Sequence, residues 1–92
     1  MFYIVSYDIP DNRRRTRVAK TMLDFGQRVQ YSVFECIIND DKLLEKMTAK
    51  LGKIVTEEDS VRIYALCRKC EKVVKVLGSG RVSVKDEEVF IL

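Results

Sequence analysis

Ninety-two residues, 47% of them hydrophobic, describe one small domain with apolar surface to spare, because a chain this short buries only about 60–65% of what its unfolded form exposes. No run approaches the roughly 18 apolar residues of a membrane span. The opening residues lack the basic region and small-residue cleavage site of a secretory signal, so the expectation is a cytoplasmic protein with no membrane contact. The net charge of +3 is unevenly spread: residues 12–31 carry six basic side chains against Asp24 alone, a net +5, which leaves −2 for the rest. Clustered arginine is the footprint of a phosphate-binding face, although a solvated helix surface has the same composition.

Residues 2–9 are almost continuously apolar and rich in β-branched and aromatic side chains, which predicts a buried strand. Pro10-Asp11-Asn12 breaks it and offers a helix N-cap. A first helix is expected over 12–25, with Val18, Ala19, Met22 and Phe25 as its apolar stripe and Gly26 as its C-cap. Arg13 and Arg17 fall on the opposite face. Arg15 falls on the apolar side in the first turn, which predicts a guanidinium directed towards Asp8. Residues 28–39 are a second β run, read either as one long strand or as two short strands with a turn near Ser32. Asn39-Asp40-Asp41 caps a second helix with Leu43, Leu44, Met47 and Leu51 on one face, ending at Gly52. Strands are expected over 61–67 and 72–77, and a terminal one over 88–92.

Two helices and four or five strands predict a single α+β domain over 1–92, with both helices on one face of a mainly antiparallel sheet. The other sheet face is apolar as well, and a second subunit is its simplest cover, which makes a homodimer the expected state. The terminal strand is too short and apolar to stand alone and can pair with a neighbouring sheet edge.

Asp8 is the polar residue that most needs explaining, since a carboxylate ending a buried strand is costly unless it is paired or binds a cation. It can bond the following turn or pair with Arg15. Alternatively it ligates a divalent metal, Mg²⁺ or Mn²⁺, which is satisfied by one or two carboxylates plus waters and substrate phosphates. A twofold axis through the open sheet face would bring two Asp8 side chains together. There is no histidine, so an imidazole base is excluded. Ser6 and Ser32 can offer hydroxyls. Tyr7 and Phe34 can stack on bases, core packing being the commoner role for Phe34, and Tyr31 and Tyr64 carry a weaker signal. Cys36, Cys67 and Cys70 are an odd number, so no closed disulfide framework follows. Cys67 and Cys70 have metal-site spacing but too few companions for zinc within one chain.

Tyr7-Asp8-Ile9, the arginine-rich start of the first helix, Gln30-Tyr31-Ser32-Val33-Phe34-Glu35 and Asp59-Ser60-Val61-Arg62-Ile63-Tyr64 occur in an order that covers essentially the whole chain. In this set the chain resembles the CRISPR-associated endonuclease family that forms the smaller protein of the spacer-acquisition pair. The resemblance implies a ferredoxin-like fold, which favours the hairpin reading of 28–39, and a face-to-face twofold dimer with 88–92 added to the partner's sheet. It implies a metal-ligating, catalytic Asp8 at the dimer cleft. It marks Tyr7, Arg15, Arg17, Arg28 and Phe34 as sensitive positions. With Arg13, Arg14 and Ser32 these make the expected nucleic-acid-binding set. The implied activity is metal-dependent cleavage of RNA or double-stranded DNA, and the implied partner is the CRISPR integrase, for which the dimer would also act as a bridge. A non-catalytic DNA-binding scaffold is the competing function, and a ferredoxin-like regulatory or small-molecule domain is a blander one.

Overall fold

A computed structural model describes residues 1–67, 75–77 and 90–91. The main sheet contains β1 (Phe2–Asp8), β2 (Gln27–Gln30), β3 (Val33–Ile37) and β4 (Ser60–Leu66), and the helices are α1 (Asn12–Met22) and α2 (Asp41–Ile54). The strands lie in the order β2-β3-β1-β4, and each neighbouring pair is antiparallel. The connection through α1 carries the chain from β1 past the place of β3 to the sheet edge, which is the split β-α-β of the ferredoxin-like arrangement. The run over 28–39 is therefore a hairpin, turning at Tyr31 and Ser32 between β2 and β3. A register shift between Arg28 and Gln30 accompanies that turn.

Strand alternation decides which side chains face the helices. Tyr3, Val5, Tyr7 and Ile9 from β1 and its exit join Phe34, Cys36 and Ile38 in the core, where Val18, Ala19 and Met22 of α1 and Met47, Leu51 and Ile54 of α2 close over them. Burial pushes the Cys36 thiol up to about 11, as expected for a sulfur held among apolar groups. The alternate residues Ile4, Ser6 and Asp8 leave on the opposite face, which no helix covers. There Ile4 is flanked by Glu35 and Tyr64, Ser6 by Val33 and Arg62, and Asp8 by Ser60.

The helix boundaries differ from the sequence expectation in instructive ways. Asp11 caps α1 by accepting the Arg14 amide at 2.9 Å, but the regular helix stops at Met22 rather than running to residue 25. Tight bonds such as Phe25 N–H to the Met22 carbonyl at 2.9 Å then carry the chain to Gly26. A Cβ on Gly26 would collide with the Glu35 carbonyl oxygen and the Cys36 sulfur, so glycine is needed there for close approach to β3. Asp40 caps α2, which continues through Gly52 to Ile54. The extra turn buries Ile54, and a side chain at Gly52 would meet open space, so glycine there does not end the helix. Leu43, expected on the apolar stripe of α2, is 38% exposed.

Two short strands, β5 (Lys75–Val76) and β6 (Phe90–Ile91), pair in parallel within the chain. The expected strand over 72–77 and the terminal one over 88–92 extend outside the described residues, as does Cys70. Among the described residues no helix is long and apolar enough to cross a membrane.

Candidate functional site

One end of the sheet gathers the exit of β1, the first turn of α1, the β2–β3 turn and the entry to β4. Asp8 is the last residue of β1 and is exposed. Among the described residues its carboxylate has no hydrogen bond and no ion pair. The expected approach of Arg15 to Asp8 does not occur. Arg15 lies on the helix side of the sheet and Asp8 on the other, so Arg15 donates Nη1–H to the Ile9 carbonyl at 2.8 Å and Nη2–H to Asn12 Oδ1. Asp8 instead shares a shallow groove on the open face with Ser6, Ser60, Arg62 and Tyr64. The Arg62 guanidinium reaches the Tyr64 hydroxyl at 3.5 Å.

The arginines of α1 divide by what they touch. Arg13 and Arg17 are exposed and border a shallow surface depression with Asn12 and Thr16. Arg14 is committed elsewhere: Nε and Nη2 donate to the two oxygens of Asp59 at 2.8 and 3.1 Å, with Glu58 at 3.5 Å and Asp11 at 3.9 Å. The Asp59 side chain is fully buried, and it also accepts the Thr56 amide at 2.9 Å. The Arg14 hydrogen bonds hold the Asp59 carboxyl below the usual carboxylate range, and the same contact raises Arg14. Arg14 was expected to bind phosphate, but three carboxylates already surround it. It ties the first turn of α1 to the loop entering β4.

Tyr7 and Phe34, expected to stack on bases, lie in the core with 4% and 0% exposure. Odd positions of β1 and the Phe34 position of β3 face the helices, so neither ring is presented to a base. Their rings stack on each other at 6.3 Å, and Arg28 lies over Phe34 at 5.8 Å. Burial raises the Tyr7 hydroxyl pKa, and Arg28 partly offsets the rise. Arg28 is anchored by its Nε–H to the Tyr31 carbonyl at 2.9 Å, and the Tyr7 hydroxyl reaches that carbonyl at 3.4 Å. Ser32 is half-buried, and its carbonyl accepts the Tyr7 amide at 3.1 Å.

As a metal site the chain offers one arm. Among the described residues no group of three histidine, cysteine or acidic side chains could hold an ion. Asp8 does fit a hard cation that keeps its waters and takes substrate phosphate as further ligands, because its carboxylate is exposed and unspent. Sequence reasoning missed Ser60, Arg62 and Tyr64 as the neighbours of Asp8, and Asp59 as the anchor of Arg14. Arg62 had a readable signal, an arginine alternating with Val61, Ile63 and Ala65 in an apolar strand. The Asp59–Arg14 pairing spans 45 residues and has no local signature.

The family described as CRISPR associated protein Cas2 matches residues 1–74. A curated relative from Chloroflexus aurantiacus, named CRISPR-associated endoribonuclease Cas2 1, is 35% identical over 94 residues, covering 100% of both chains. The crystal structure of Streptococcus pyogenes Cas2 at pH 6.5 superposes with a TM-score of 0.71 at 36% identity, over 85% of this chain and 100% of that one. A chain of a solved partial Cas6-RT-Cas1–Cas2 complex aligns with a TM-score of 0.70 at 27% identity, over 77% of this chain and 83% of that one. The antiparallel sheet under two helices, the lone aspartate ending β1 and these likenesses along the chain agree, and the chain belongs to the CRISPR-associated Cas2 family.

Proposed function

We propose that this chain is a metal-dependent endonuclease of CRISPR spacer acquisition, cleaving phosphodiester bonds in RNA or double-stranded DNA around Asp8. The observation that carries this reading is the exposed, unspent carboxylate of Asp8 at the sheet end where Arg15 and Arg28 gather without an acidic partner among the described residues. The chain works as a twofold dimer in which the open sheet faces meet, so that each subunit supplies one Asp8. The groove on that face has a mixed lining, with Ile4, Val33, Val76 and the 71% exposed Leu77 among charged and amide side chains, as at the surface of a protein–protein interface. The terminal strand then extends the partner's sheet.

Asp8 would hold Mg²⁺ or Mn²⁺, and the ion would supply activation of water and neutralisation of charge on the phosphoryl oxygens. The arginine side chains fix the polynucleotide so that one phosphate stands at Asp8. A water oxygen attacks phosphorus and gives up its proton, the bond to the leaving oxygen breaks, and that oxygen takes up a proton from solvent, so one water is consumed for each bond cleaved. No imidazole is present, so activation of the water falls to the bound metal or to Asp8 itself. The test is cleavage of labelled single-stranded RNA and duplex DNA with Mg²⁺ and with chelator. Cleavage of one substrate that stops on metal removal is expected; cleavage indifferent to chelator would contradict it.

A second reading is favoured by the likeness to a chain in a Cas1–Cas2 assembly. The dimer then bridges subunits of the CRISPR integrase and clamps duplex DNA through exposed Arg13 and Arg17. Backbone binding loses affinity with salt at a slope of about −0.9 per duplex phosphate neutralised. Reversing Arg13 and Arg17 to Glu should flatten that slope by about two units for each subunit that engages the DNA, in a titration of salt against binding constant. An unchanged slope removes this helix face from the interface.

A further inference from the structure

Tyr31 stands at the tip of the β2–β3 hairpin with 69% of its surface exposed. Its ring is met by two cations from separate elements. The Arg28 guanidinium carbon lies 5.0 Å from the ring centroid and the Arg15 guanidinium carbon 5.9 Å. Both distances are within the range at which a guanidinium is attracted to an aromatic face. The two positive groups can therefore be no farther apart than the sum of those distances. Each is steadied by neutral oxygens: Arg28 by the Tyr31 carbonyl, Arg15 by the Ile9 carbonyl and the Asn12 amide oxygen. Among the described residues neither has a carboxylate partner, in contrast to Arg14 one position away.

Two like charges held on one ring, with no carboxylate partner among the described residues, are an arrangement that an anion completes. We propose that Tyr31 is a positioning residue: its ring gathers Arg15 and Arg28 into a two-pronged grip on successive phosphates of one nucleic-acid strand. Each strand of a duplex carries one charge for about every 3.4 Å of helix axis and winds around that axis as it rises. Neighbouring phosphates of one strand are therefore separated by more than this rise but stay close enough for two guanidinium groups on one ring to meet them. The inference rests on the nucleic-acid reading above and adds how that backbone is held. It requires the ring and not the hydroxyl, because the hydrogen bonds at this position use the Tyr31 backbone carbonyl.

The experiment compares Tyr31→Phe and Tyr31→Leu for binding of labelled duplex DNA and single-stranded RNA across a salt series. Melting temperature checks that folding is intact. Tyr31→Phe should bind within about twofold of the parent, and Tyr31→Leu about tenfold more weakly with a flatter salt slope. Adding Tyr31→Leu to an Arg15→Gln/Arg28→Gln variant should cost nothing further, because a positioning ring has nothing left to position. If Tyr31→Leu binds like the parent at every salt concentration, the inference is wrong. If it costs the full factor in the arginine-deficient background, the ring touches the nucleic acid itself and the positioning role is wrong. Without nucleic acid, Tyr31→Leu should shift the Arg15 and Arg28 side-chain resonances, Arg28 keeping only the contribution of the Phe34 ring, and unchanged resonances would also overturn the inference. An Asp8→Asn variant that still cleaves defeats the proposed catalytic site while leaving all these readouts standing.

Discussion

Replacing Asp8 with Asn should lower phosphodiester cleavage by about 10²–10⁴-fold while nucleic-acid affinity stays within about threefold of the parent. Asn keeps the shape of the side chain but removes the charge that would hold a divalent ion and accept a proton. Asp8 is exposed and makes no hydrogen bond or ion pair among the described residues, so the substitution breaks nothing in the folded chain. Exposed substitutions of that kind change stability by no more than about 0.5 kcal/mol, and the melting temperature should hardly move. Retained binding with lost cleavage separates the two functions. Full cleavage by the Asn variant would move the chemistry away from this strand end.

The largest effect on stability is expected at the Arg14–Asp59 contact. The Asp59 side chain is fully buried, and its oxygens are divided between Arg14 and Thr56. Arg14→Ala leaves that carboxylate without its countercharge, and breaking such a pair from one side is costlier than never having had it. Thermal denaturation should show a loss on the order of 5–10 °C. Asp59→Asn should lose less, because an amide can still accept hydrogen bonds.

The pH dependence carries its own sign. The folded-state pKa of Asp59 is depressed, so its stabilisation is present above the ordinary carboxylate value of about 3.9 and is lost as pH falls through the lower folded value. The melting-temperature gap between the parent and Asp59→Asn should be constant near neutrality and narrow below about pH 4. A gap that stays open in acid would mean that the pair is not what Asp59 contributes.

How far the sequence carried depended on the range of the interaction. The 3.6-residue stripes of α1 and α2 are local, and they assigned Val18, Ala19, Met22, Met47 and Leu51 to the core correctly, whereas β1 read as apolar on both faces and only its period-two alternation in the fold puts Tyr3 and Val5 beside them. The same alternation placed Asp8 opposite Tyr7, and that fact was sufficient to show that Arg15 could not reach it. The expectation of an Arg15–Asp8 approach treated the strand end as a point rather than as two faces. Composition marked the arginine-rich segment but not the division within it. Arg14 is neutralised by an aspartate 45 residues away, whereas Arg15 and Arg28 meet on a tyrosine at a hairpin tip. Such selections arise only when distant elements are brought together. The aromatic signal at Tyr7 and Phe34 was real, but it reported core packing, because both positions face the helices.

The most direct test of the metal centre is Mn²⁺ binding followed by electron paramagnetic resonance, with an uncleavable phosphorothioate strand present to supply phosphate ligands. The parent protein should take up Mn²⁺ and lose the free-ion signal, and Asp8→Asn should leave most of the ion free at the same concentrations. Equal uptake by the two proteins would contradict a metal held at Asp8.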